Sequence, residues 1–87
     1  MKSINVSVTA SATLMVAADN QNRTIYLHNN TNETLFIGNS AVTTSNGMVI
    51  SKHSAPITIF VPTNETLFGI AEAGKTIDVR ILQPDTD

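Results

Sequence analysis

Apolar and polar residues alternate along this chain in short bursts. Ile4-Asn-Val-Ser-Val8 changes character at every residue, and Thr24-Ile-Tyr-Leu-His28, Ile57-Thr-Ile-Phe-Val61 and Thr76-Ile-Asp-Val-Arg-Ile-Leu82 space their aliphatic residues two apart, with Tyr26, Phe60 and Leu82 interrupting the polar phase. That period belongs to β-strands, whose successive side chains point to opposite faces. Further strands are predicted over Glu33–Ile37, Met48–Ile50 and Thr66–Ala71. Thr13–Ala17 is rich in β-formers but also tolerates helix, because Ala12, Leu14, Met15, Ala17 and Ala18 lie in or beside it. Polar turns separate these pieces: 19–23, 29–32, 51–54 and 72–75. The longest connection is 40–47, with Asn46-Gly47 as its turn signal. Pro56 and Pro62 bracket one strand, where neither removes a central ladder bond.

About eight short strands at regular spacing predict an all-β fold, an antiparallel β-sandwich of jelly-roll-like type with no substantial helix. An octapeptide nearly repeats within it: Thr31-Asn-Glu-Thr-Leu-Phe-Ile-Gly38 and Thr63-Asn-Glu-Thr-Leu-Phe-Gly-Ile70. Each copy is a polar turn running straight into an apolar stretch, which is how a hairpin begins its return strand. The 87 residues allow one domain, 1–87. Within it, 1–12 is either an edge strand or an N-terminal arm that a neighbouring subunit could accept, and 84–87 is expected to be a loose tail.

Reading alternate residues as one face places Ile4, Val6 and Val8 in the core phase. With them go Ile25 and Leu27, Leu35 and Ile37, Ile57, Ile59 and Val61, and Ile77, Val79 and Ile81. The other phase is mostly polar but also carries Tyr26, Phe36, Phe60 and Leu82. If their strands are neighbours, these four make an exposed apolar patch of the kind that marks a subunit contact. A bulge or an overlying loop would instead bury them. The expected interface is therefore Tyr26, Phe36, Phe60 and Leu82, with Ile4, Val6 and Val8 as an edge strand that can be donated.

Composition sharpens this picture. Charged residues are 14% of the chain against about 25% in an ordinary soluble domain, and Asn, Ser and Thr supply 28 of the 87 positions. Hydroxyls and amides are less costly than charges to bury in a contact, although a turn-rich β domain has the same composition for local reasons. With no cysteine, disulfides and thiolate metal sites are excluded. A small sandwich without such staples gains from burial between subunits. Net charge is −2 and the five basic residues are scattered, so no nucleic-acid partner is expected. The longest apolar run, Leu14–Ala18, is far too short for a membrane span, and no apolar leader follows Lys2, so synthesis in the cytosol without processing is expected. On that expectation the Asn-X-Ser/Thr sequons at Asn5, Asn22, Asn29, Asn32 and Asn64 carry no glycan.

Candidate chemistry is thin. His28 falls on a strand and His53 in a turn, neither in a metal-ligand or nucleophile motif. Glu33 and Glu65 hold equivalent places in the two repeats but read as turn residues. The four glycines never cluster into a phosphate-cradling loop, and the acidic tail is too sparse for a calcium loop. No enzyme, cofactor or metal site is expected.

Several pieces in fixed order carry a resemblance: Asn22-Arg23, Ile25-Tyr-Leu-His-Asn29, Leu35-Phe-Ile-Gly38, Val42-Thr-Thr-Ser-Asn-Gly-Met-Val-Ile50, Leu67-Phe-Gly-Ile-Ala71 with Gly74, and Asp78-Val-Arg-Ile-Leu82. Across Leu14–Leu82 the chain resembles small β-sandwich virion proteins of tailed bacteriophages. The resemblance implies a non-enzymatic structural protein on the outer capsid surface. It would be a decoration (cement) protein, commonly a homotrimer, whose partner is the major capsid protein and whose role is stabilising the shell. A fibre, tail or vertex appendage module is the alternative within that family. Ser51-Lys-His-Ser54 departs from the Pro-Gly-Glu-type turn usual there. A receptor- or carbohydrate-binding domain is a further alternative, disfavoured because Tyr26 is the only tyrosine and tryptophan is absent.

Overall fold

The computed structural model describes residues 1–53 and 55–85. Eight strands and no helix make up the described chain. They are β1 (Lys2–Val8), β2 (Thr13–Val16), β3 (Arg23–Asn29), β4 (Leu35–Gly38), β5 (Met48–Ile50), β6 (Ile57–Val61), β7 (Leu67–Ile70) and β8 (Ile77–Gln83). β1 pairs antiparallel with β8, β2 with β7, β3 with β6 and β4 with β5. The chain is thus one long antiparallel hairpin, rolled until β8 meets β3 and β7 meets β4. The result is a first sheet of order β1-β8-β3-β6 against a second of order β2-β7-β4-β5, the connectivity of a jelly roll.

The two-residue period locates the core. Val8, Ile25, Leu27, Leu35, Ile37, Val61, Ile77, Val79 and Ile81 are buried between the sheets, each stabilising the fold by about 1.5–3 kcal/mol. Ile4, Val6, Ile57 and Ile59 face the same way but stay half-buried, because they lie on the two edge strands of the first sheet. Met15 and Val16 are both buried although adjacent in sequence. A bulge between Leu14 and Val16 breaks the alternation there, and pairing with β7 makes Thr13–Val16 a strand, one residue short of the expected Thr13–Ala17. Residues 2–8 are all in register with β8, so the first segment is an edge strand of its own sheet and not a free arm. Of the expected loose tail, Pro84 and Asp85 lie outside any strand, and 86–87 fall outside the described residues.

Two buried polar residues pin the octapeptide repeats at opposite ends of β3. At its end, Asn29 donates to the Glu33 and Ser51 carbonyls and accepts from the Thr31 amide and hydroxyl, so its side chain is fully satisfied. At its start, Arg23, only 5% exposed, donates to the carbonyls of Ala17, Gln21, Pro62 and Glu65. Thr63 places its amide and hydroxyl on Asn22 Oδ1, both at 2.8 Å, as Thr31 does on Asn29. Each repeat is therefore held through its threonine and the backbone oxygen of its glutamate. That is why the polar half of the motif recurs as well as the apolar half.

The 39–47 connection closes on itself. Asn39 and Asn46 side chains accept the Ala41 and Thr43 amides, and Gly47 N–H reaches the Thr43 carbonyl at 2.9 Å. Val42 is tucked underneath. Gly47 does not take the left-handed φ that an Asn-Gly hairpin turn requires. Glycine is needed there for space, because an added Cβ would sit 2.7 Å from Phe36 Cβ and 3.0 Å from the Thr43 carbonyl oxygen. Gly47→Ala is expected to cost about 2 kcal/mol, since neither obstacle can rotate away. A urea midpoint unchanged from the parent would contradict this.

Candidate interaction surfaces

β4 and β7, the apolar halves of the two repeats, lie side by side at the centre of the second sheet. Their register sets Ile37 opposite Gly69, which are equivalent positions of the octapeptide, so a local two-fold relates the two copies. Phe36 then faces Ile70, and Gly38 faces Phe68. The exchange of Ile-Gly for Gly-Ile follows from packing. Gly69 points inward, where a Cβ would meet Met15 Sδ at 2.9 Å, while Ile37 fills the facing place.

The same register builds an apolar outer face. Leu14 on β2 opposes Phe68, Ile70 opposes Phe36, and Phe36 opposes Val49 on β5. Leu14 is 47% exposed and Val49 59%; Phe36, Phe68 and Ile70 are half-buried. Every outward strand position that these pairings define on this sheet is Leu, Phe, Ile, Val or Gly. A solvent-facing antiparallel sheet ordinarily alternates to polar residues here.

The outer face of the first sheet is different. Ser3, Asn5 and Ser7 line its β1 edge, and Asp78, Arg80, His28, Thr24 and Thr58 continue the polar surface. Tyr26, Leu82 and Phe60 interrupt it. Tyr26 opposes Leu82 directly, and Phe60, opposite Thr24, sits diagonally from Tyr26. Three of the four residues expected to form one patch therefore cluster here, and Phe36 lies on the far side of the molecule. Ile4 and Val6 face the core from β1, and Val8 is fully buried, so none of the three adds to either outer surface.

Leu14, Val49, Phe68 and Ile70 are the members of the apolar face that the sequence reading passed over. The signal for Phe68 was present, since it occupies the place in the second octapeptide that Phe36 occupies in the first. Leu14 was hidden by the bulge, and Val49 by a three-residue strand too short to show a period.

Charge is sparse on both faces. Arg80 grips Asp78 through Nε, 3.2 and 3.0 Å from the two carboxylate oxygens, and through Nη2 at 2.8 Å. The Arg80 guanidinium holds the Asp78 carboxyl below its usual value, with the Asn30 and Asn5 amides assisting and partial desolvation opposing. A carboxylate with a lowered folded-state pKa stabilises the fold above its unfolded value and loses that contribution as pH falls through the folded value. Asp78→Asn is therefore expected to lower the urea midpoint at neutral pH and to match the parent well below the ordinary value of 3.8. A constant difference across that range would contradict it. Lys75 reaches Glu33 at 3.7 Å, whereas Glu65 is exposed on another connection, so the paired repeats do not bring their carboxylates together. His28 is half-buried on β3, and His53 is exposed in a turn.

Compared with known protein families, curated proteins and solved structures, the chain matches none.

Proposed function

We propose that this chain is a structural protein of a tailed-bacteriophage virion, a capsid decoration protein that self-associates and binds the major capsid protein on the outer head surface. The reading rests on the resemblance carried by residues 14–82 and on one structural observation, the apolar outer face of the β2-β7-β4-β5 sheet. A monomer would keep that face wet at a cost. Gly47 and Val42 of the 39–47 connection already lie against Phe36 and Gly38, and two or three copies that cover the remainder of the face remove Leu14, Val49, Phe68 and Ile70 from water. Low charge suits such a contact, because few ions need desolvation. A homotrimer is the order that the family resemblance implies.

The test is uptake by heads of the source phage that lack the protein. Saturable binding of hundreds of copies per head supports a shell protein, and a handful of copies moves the assignment to a tail or vertex module. No uptake contradicts the proposal.

A further inference from the structure

On the outer face of the first sheet, β1, β8 and β3 frame an open groove of about 500 Å³, within the usual range for a small-molecule site. Tyr26, Leu82 and Pro56 form its apolar part; Asn5, His28 and Arg80 form its polar part. The pairings explain why these residues meet. Leu82 opposes Tyr26, and Arg80 lies between Asn5 on one side and His28 on the other. The aromatic and the planar polar groups thus occupy adjacent rows of one sheet face.

The polar groups keep unused hydrogen-bonding capacity. Among the described residues, nothing bonds the Tyr26 hydroxyl, either ring nitrogen of His28 or Nη1 of Arg80. The Arg80 guanidinium is nevertheless oriented, since Asp78 accepts from Nε and Nη2 and is itself bonded to Asn30, although the Arg80 side chain stays 56% exposed. A donor held in place before a ligand arrives loses less entropy on binding.

We infer that this groove binds a saccharide. A sugar ring offers what the lining can use: a face of C–H groups for the exposed Tyr26 ring, and hydroxyls that both donate and accept for Asn5, His28 and Arg80. A phosphorylated ligand fits poorly, because Asp78 already neutralises Arg80 and the chain carries net charge −2. A wholly apolar ligand would strand the polar row. By composition a saccharide site is disfavoured, with one tyrosine and no tryptophan. The placement of that tyrosine beside an amide, an imidazole and a guanidinium is a product of the sheet register. The inference is independent of the capsid assignment, because it concerns the isolated chain and the sheet opposite the apolar face.

The experiment titrates ¹⁵N-labelled protein with glucose, galactose, mannose, N-acetylglucosamine and N-acetylneuraminic acid in turn, following backbone amide shifts. At least one sugar is expected to give saturable shifts centred on Asn5, Tyr26, His28, Arg80 and Leu82. Tyr26→Ala should weaken that binding about tenfold, the loss of one aromatic contact. Phe60→Ala, on the same face but outside the groove, should leave it unchanged. The inference is overturned if no sugar gives saturable shifts, if the shifts centre elsewhere, or if Tyr26→Ala binds as tightly as the parent.

Discussion

Replacing Arg23 with methionine is expected to lower the thermal midpoint by about 15 °C. Methionine fills much of the same volume but donates nothing, so the carbonyls of Ala17, Gln21, Pro62 and Glu65 lose the donor that gathers them. Those four oxygens belong to two connections, β2 to β3 and β6 to β7, which are also joined by Asn22 to Thr63 and by the Asn64 amide to the Asp19 carbonyl. Exposed backbone nearby lets water replace some of the lost bonds, which limits the loss to about 3 kcal/mol. That is still a large part of the roughly 5–10 kcal/mol available to a domain of this size. Arg23→Lys is expected to recover little, because a single ammonium cannot span both connections as a guanidinium does. Calorimetry reads the effect directly, and a midpoint within a few degrees of the parent would refute the role given to Arg23.

The second large effect concerns association. Leu14→Lys combined with Phe68→Lys places two charges on directly opposed positions of the second sheet's outer face. Both side chains point away from the core, so far-ultraviolet circular dichroism should be unchanged. Self-association should weaken at least about a hundredfold, since two large apolar contacts are lost and two ammonium groups need hydration. Sedimentation equilibrium measures that ratio. The same pair of charges at Tyr26 and Phe60 should leave it nearly unaltered, because those residues lie on the opposite sheet. Equal effects from the two faces would show that added charge, rather than place, decides the outcome.

The alternation of apolar and polar residues carries most of the fold in plain view. β5 and β6 fall on the stretches expected, and the remaining strands differ at their ends by a residue or two. Strand-to-strand neighbours are not visible in that pattern. Phe36 and Tyr26 have the same phase on their own strands, yet β4 and β3 belong to different sheets, so their outward faces oppose. Sequence phase gives inside or outside; only the roll of the hairpin gives which outside. Arg23 and Asn29 escaped for another reason. Buried polar residues satisfied by backbone carbonyls of distant loops have no local signature, and their partners lie up to 42 positions away. The octapeptide repeat was legible, but its meaning as a local two-fold needed the pairing of Ile37 with Gly69. The groove likewise depends on register, which sets Arg80 between Asn5 and His28.

The outer side of β2-β7-β4-β5 as a contact between copies is the claim on which the functional assignment leans most. Light scattering on the unmodified protein over a wide dilution series tests it most directly. A molar mass that is a multiple of the 9.3 kDa chain at high concentration, falling toward one chain on dilution, is the predicted result. A single-chain mass at every concentration up to the solubility limit would contradict it.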